Sequence, residues 1–376
     1  MAIETLTQTS NSKPARLLSL DIFRGLTIAT MITVNEPGIE KYAYAPLVHA
    51  HWNGITLADF VFPSFVFMVG VSVALSYSKQ LANQVPRKQM IGKIFRRALI
   101  LYVIGTFLSI VPLFNLATIR YTGVLQRIGI AYACSSFLYI YSGWKTQAKL
   151  AAFILIAYCA VMTLVPVPGY GYSILEPGKN LAAWLDGLYL PGRMWQGTWD
   201  PEGILTTFPA IVTGITGLLV GQLIISKQTA ERKIIWLFLA GFLSFVTANI
   251  WNLFFPINKN LWTSSFVLYT SGTATMVLAS LYFIVDVLGY QKWASFFKIY
   301  GSNAIAAYLI ADLSSDFLFY KWGGPQGTSI NMAVIKAVTP SVIPLEIISL
   351  TWAISFCLLV FIPVYILYRK KIFLKI

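Results

Sequence analysis

Apolar runs long enough to cross a bilayer as helices, about 17 to 25 residues each, recur along the whole chain. Few folds accept so many of them. With 57% hydrophobic and 11% charged residues and a mean hydropathy of +0.69, the sequence reads as an integral membrane protein. The expected fold is all-α, a polytopic membrane helix bundle of about ten transmembrane helices. The runs fall near 17–35, 56–78, 98–114, 123–142, 150–166, 203–226, 234–255, 263–286, 296–315 and 344–368. Residues 1–16 are polar and read as a short tail rather than a cleaved signal, because no small-residue cleavage site follows the first apolar run. Residues 17–376 then form a single transmembrane domain.

Basic residues orient the bundle. The tail, the connections at 79–97, 143–149, 227–233 and 287–295, Lys298 and the C-terminal end hold 19 of the 28 Lys and Arg. Both termini are therefore expected to be cytoplasmic, with two long extracytoplasmic loops at 167–202 and 316–343, the second containing a short helix near 330–338. Loops of that length, rich in Pro, Gly and aromatic residues, suit a cap over a site on their face. The net charge of +14 follows from this topology, and with no soluble basic module it gives no support to a nucleic-acid partner. Cys134, Cys159 and Cys357 lie far apart in apolar segments, so neither a redox pair nor a cysteine-based metal site is expected, and the metal assignment is none.

Charges at membrane depth are costly and mark pairs or sites. Asp21 and Arg24 share one face of the first span at i, i+3 spacing, which suits an ion pair or contact with an anionic ligand entering from the cytoplasm. Asn35 closes that span. His49 and His51, the only histidines, stand in a polar loop just before the second span. Ten residues beyond His49, Asp59 is placed either to accept from an imidazole N–H and fix its tautomer or to stabilise the helix N-terminus. Arg127, entering with Gln126 at the start of the fourth span, calls for an acidic partner, a phosphate or water. Asn249, Asn252, Asn303, Asp312 and the "WDPEG" block with Asp200 and Glu202 add polar groups, most of them read as lying in the outer half.

Six blocks, "LLSLDIFRGLTI", "HAHWNGITLADFVFPSFVFMVG", "IRYTGVLQRIGIAY", "WDPEGILTT", "PINKNLWTSSFVLYTSG" and "YRKKIF", follow one another from the first span to the C-terminus. Together they resemble the lysosomal heparan-α-glucosaminide N-acetyltransferase family, part of a wider group of transmembrane acyltransferases. The resemblance implies transfer of acetyl from cytoplasmic acetyl-CoA, the co-substrate, to the amino group of a terminal glucosamine across the membrane. His49 matches the family's active-site histidine, the one followed by Ala-x-Trp-Asn-Gly; His51 falls on the variable position. Asn35 matches an asparagine closing the corresponding span. The animal enzyme carries an additional luminal domain and span ahead of this region. The shorter form implies a multi-pass protein of the bacterial inner membrane whose acceptor is a glucosamine-type amino sugar rather than heparan sulfate.

On that basis Arg24, Lys93, Arg96, Arg97, Arg369, Lys370 and Lys371 are candidates for the phosphates of CoA. His49 is expected to act as general base or transient acetyl carrier. Asp59 orients it, Asn35 or Asn53 stabilises the oxyanion, Trp52 or loop aromatics stack on the sugar, and Arg127, Asp200 and Glu202 are further substrate-side candidates. The competing classes are a transporter of an amino sugar or other solute and an O-acyltransferase acting on a glycan or lipid. The expected partners are acetyl-CoA, an amino-sugar acceptor and the lipid bilayer, with a homodimer as a further expectation.

Overall fold

The structure, a computed structural model, describes residues 17–111, 119–319, 321–322, 328–338 and 343–374. The expected 1–16 tail lies outside the described residues. Helices α1 (Leu18–Asn35), α2 (Val61–Ala82), α3 (Arg87–Leu108), α4 (Val124–Tyr141) and α5 (Trp144–Leu164) follow in order. After a short surface helix, α6 (Leu181–Tyr189), come α7 (Ile204–Ile225), α8 (Ala230–Trp251), α9 (Ser264–Leu281), α10 (Ser295–Ser302) and α11 (Ala304–Phe319). The order closes with α12 (Ile330–Val338) and α13 (Leu345–Arg369), and strands β1 (Lys321–Trp322) and β2 (Thr328–Ser329) pair antiparallel between α11 and α12. The architecture is all-helical apart from that pair.

Six stretches among the described residues are long and apolar enough to cross a membrane: Leu57–Ala82, Trp144–Leu164, Ile204–Ile225, Ala230–Trp251, Ser264–Val287 and Leu345–Arg369. The other expected spans are also helical where described, but α1, α3 and α4 are more polar and α11 is shorter. Two differences from expectation have physical causes. The basic 87–97 stretch, read as a connection, is the first half of α3: Arg, Lys, Gln and Met are good helix formers and carry the helix out toward the polar interface. The apolar run at 296–315 is broken between α10 and α11. There the Asn303 N–H bonds back to Tyr300 O, and its side-chain amide donates to Ile372 O at 3.0 Å and accepts from Leu374 N at 3.1 Å. An asparagine that captures another segment's backbone this way competes with its own helix.

Glycines set the helix spacing. A Cβ added at Gly70 of α2 would lie 1.9 Å from Gly214 O of α7, and one at Gly217 of α7 would lie 1.9 Å from Phe67 O. Gly25 and Gly301 bring α1 and α10 together equally closely. Such small-residue seams let backbones touch where lipid offers no hydrophobic drive for association. At one end of the bundle Asp286 caps α1, accepting from Leu18 N at 3.1 Å and Ser19 N at 3.0 Å, near the C-terminal segment held by Asn303. The connections following α1, α5, α6 and α8 gather at the opposite end.

If these seams hold the bundle, Gly70→Ala and Gly217→Ala each destabilise it by about 1–3 kcal/mol or more. Gly92→Ala, with nothing within 4 Å of the added methyl, is neutral or slightly stabilising. Thermal unfolding of the purified variants in detergent distinguishes the two outcomes.

Candidate active site

"TLAD", 56–59, forms a capping box at the entry to α2. Asp59 Oδ2 accepts from Thr56 N at 3.0 Å, Thr56 Oγ1 at 3.1 Å and Ala50 N at 3.1 Å. One carboxylate oxygen thus fastens the histidine loop to the helix start. The other, Oδ1, lies 2.8 Å from His49 Nδ1. Asp59 is 1% exposed and His49 is 47% exposed, so a buried anion supports an imidazole open to solvent. With Nδ1–H donated to the carboxylate, the lone pair of Nε2 is left for a ligand.

Lys259 completes the cluster. Its Nζ stands 3.5 Å from Asp59 Oδ1 and 3.0 and 3.3 Å from His49 Nδ1 and Nε2. The Nδ1–H and the Nε2 lone pair point apart in the ring plane, so an ammonium this close to both nitrogens lies over the ring rather than in line with either one. Burial pulls the Lys259 ammonium below the usual lysine range, while the charges of Asp59 and Glu202 act against that shift. The two loops are stitched together by Gly54 N to Ile257 O at 2.8 Å and Asn258 Nδ2 to Asn53 Oδ1 at 3.1 Å. Gly54 holds φ +105°, a conformation that favours glycine and turns the Asn-Gly pair toward the Lys259 loop.

The 167–202 loop covers this end. Trp52 donates its indole N–H to Leu175 O at 2.8 Å and packs edge-on against Trp199 at 5.2 Å. Half-buried and engaged in this way, Trp52 ties the histidine loop to the cap. Arg120 binds Asp200 through Nε at 2.8 Å and Nη2 at 2.6 Å, and also contacts Glu202. Burial alone would lift the Asp200 carboxyl, but Arg120 holds it below the usual range. Asp200 also accepts from Trp195 N and Glu202 N, so its oxygens organise the loop. Asp186 on α6 accepts from Ile204 N at 2.9 Å, and burial pushes its carboxyl up to about 6.

The remaining sequence candidates are dispersed. Asn35 ends α1 exposed and is not among the hydrogen-bond partners of the His49 cluster. His51 and Asn53 are exposed at the loop. Arg127 is buried and donates to Gly203 O and Thr206 Oγ1 instead of meeting an acidic side chain. Asn249 is exposed and spends its amide on Phe245 O within its own helix.

A cavity of about 1180 Å³ runs beside α1, bordered from Leu17 to Met31 on that helix, a rise of about 21 Å. Arg24, Ser72, Lys79 and Arg97 line it, and Val124 and Leu125 at the start of α4 border its far part. Arg24 pairs with Asp21 at 3.0 Å and bonds Ser72; Arg97 lies 4.5 Å over the Tyr132 ring. Lys93, Arg96, Arg369 and Lys370 are exposed and do not border this cavity.

Lys259 and Arg120 are the two residues that sequence reasoning missed. Each is a lone base in a connection that the sequence reading assigned to the outer side, and their only signal was that the positive-inside pattern gives no reason for a base there.

A family model described as "Heparan-alpha-glucosaminide N-acetyltransferase, catalytic" matches residues 16–248. The human protein named heparan-alpha-glucosaminide N-acetyltransferase is 29% identical over an alignment covering 100% of this chain and 62% of its own length. The mouse protein of the same name is 29% identical over 98% of this chain and 62% of itself. The chain thus spans about three-fifths of the length of these relatives. The matched region takes in more than half of the sequence, including the whole "HAHWNG" loop and Asp59, and the chain belongs to the heparan-alpha-glucosaminide N-acetyltransferase catalytic family.

Proposed function

We propose that this protein is a transmembrane acetyltransferase that takes acetyl from acetyl-CoA on the cytoplasmic side and delivers it to the amino group of a glucosamine-type sugar on the other side. The observation that carries this reading is the Asp59–His49–Lys259 cluster at one end of the bundle. The cavity beside α1 supports the donor side. Its bases, Arg24, Lys79 and Arg97, suit the phosphates of CoA, and its length matches an extended pantetheine arm of about 15–20 Å, the reach of some five peptide units. The basic bias of the connections at that end supports a cytoplasmic placement for both termini and a bundle of about ten spans in one domain.

The neutral amine attacks the thioester carbonyl, forming the C–N bond, while His49 Nε2 takes the proton the nitrogen loses. Asp59 holds the ring by Nδ1 and balances the imidazolium. Lys259, the cation that stands over the His49 ring, stabilises the tetrahedral oxyanion, and Asn53, in the histidine loop, assists through its amide N–H. The C–S bond then breaks, and the CoA thiolate leaves with the proton from His49. Arg120, paired with both Asp200 and Glu202, holds the cap in place beside the reacting groups.

The test is acetyl transfer from acetyl-CoA to glucosamine by purified protein. His49→Ala is expected to lower kcat by roughly 10²–10⁴-fold, whereas His51→Ala stays close to wild type. Full activity in His49→Ala contradicts the mechanism, and acetylation of glucose instead of glucosamine points to an O-acyltransferase.

Removal of the Lys259 charge is a separate test. Lys259→Met is expected to lose about 10²–10³ in kcat, with the KM for acetyl-CoA little changed. Arg97→Met, at the donor cavity, shows the reverse pattern. Equal effects on both constants in both variants contradict this division of labour.

A further inference from the structure

A second cavity, of about 510 Å³, lies apart from the acetyl-transfer cluster, between the first turns of α4 and α7. Its base is unusual for a membrane helix. Arg127 is 1% exposed and Gln126 is 3% exposed, and both line it. Arg127 uses Nη2 on Gly203 O and Thr206 Oγ1 and rests its guanidinium 5.0 Å from the Trp262 ring. Among the described residues, Arg127 Nε and Nη1 and Gln126 Nε2 have no hydrogen-bond partner. Three buried N–H-bearing atoms left without acceptors are costly in a dry site, and together they ask for one group with several oxygens. Glu202 also borders the cavity, but its carboxylate is engaged by Arg120.

The rest of the wall is apolar and open to the side. Ile130, Ile204 and Phe208 line it and are exposed on the bundle surface, where a membrane-spanning helix meets lipid. Position along the helices gives the cavity a polarity. Arg127 lies about 5 Å in from the start of α4, Ile130 about 9 Å and, on α7, Ile211 about 10 Å. Orphaned donors therefore stand near the interface, beside Leu190, Pro191 and Ile204, and from there inward the wall is apolar past Ile130 and Ile211, which suits a lipid with its head outward.

We propose that this cavity binds a single membrane lipid by its phosphate. The three donors are closed off from the cavity in this structure, so binding turns Arg127 and Gln126 toward it. The phosphate oxygens then accept from Arg127 Nε and Nη1 and from Gln126 Nε2, and the acyl chain lies against Ile130, Phe208 and Ile211. The site is independent of the acetyl-transfer reading, since none of its three donors touches His49, Asp59 or Lys259.

The experiment uses purified, delipidated full-length protein with three probes: dodecyl phosphate, dodecanol and inorganic phosphate. Dodecyl phosphate is expected to bind saturably and raise the unfolding temperature, with no comparable shift from the other two. Gln126→Leu removes one donor, and Ile211→Trp fills the apolar limb with Arg127 intact; each is expected to weaken binding at least tenfold. Arg127→Met abolishes binding if it folds, and the other two variants test the site if it does not. An equal shift from dodecanol, the same shift from inorganic phosphate alone, or wild-type binding in both Gln126→Leu and Ile211→Trp overturns the proposal.

Discussion

One carboxylate organises the end of the bundle where chemistry is proposed. Asp59 is buried, and neither oxygen is left without partners: Oδ2 takes three N–H and O–H donors from Ala50 and Thr56, and Oδ1 faces His49 and Lys259. A buried anion is tolerated only when donors and a counter-charge meet it, so three separate stretches of chain are drawn to one point. These are the histidine loop, the start of α2 and the α8–α9 connection. The open imidazole is a consequence of that convergence, because His49 is gripped at Nδ1 and left accessible elsewhere.

The scaffold beneath makes the convergence repeatable. Glycine seams lock α2 to α7 and α1 to α10 with backbones in contact, so the entry to α2 has little freedom to tilt. Above it the Arg120–Asp200 pair fixes the cap, and Trp52 against Trp199 joins the cap to the histidine loop. Rigid elements below and a pinned loop above are what a site needs to hold an acyl donor and an amine in line. In the proposed reaction the cavity beside α1 and the His49 cluster divide the work, phosphate recognition at one end and proton transfer at the other.

Much of this was legible in the sequence where the interactions are local. Hydrophobic run length located the helices, and Asp59, ten residues beyond His49, offered two readings, partner of the imidazole or stabiliser of the helix start; the structure has it do both. What escaped was non-local or ambiguous. Lys259 is 210 residues from His49, and nothing along the chain ties a lone lysine to a distant carboxylate. Arg120 likewise meets Asp200 only through folding. The break at Asn303 was hidden because the apolar pattern runs on through it, and the C-terminal segment it captures is some 70 residues away. The basic start of α3 was misread because charge marks the membrane boundary without marking the end of a helix.

The central claim is that acetyl crosses from a donor on the cytoplasmic face to an amine on the opposite face through His49. Sealed proteoliposomes of uniform orientation, with labelled acetyl-CoA confined to the cytoplasmic face and glucosamine to the other, test it directly. The account predicts N-acetylglucosamine on the acceptor side that depends on His49, and no sugar uptake when acetyl-CoA is withheld. Glucosamine accumulating across the membrane without acetyl-CoA, or product forming on the donor side alone, would contradict it.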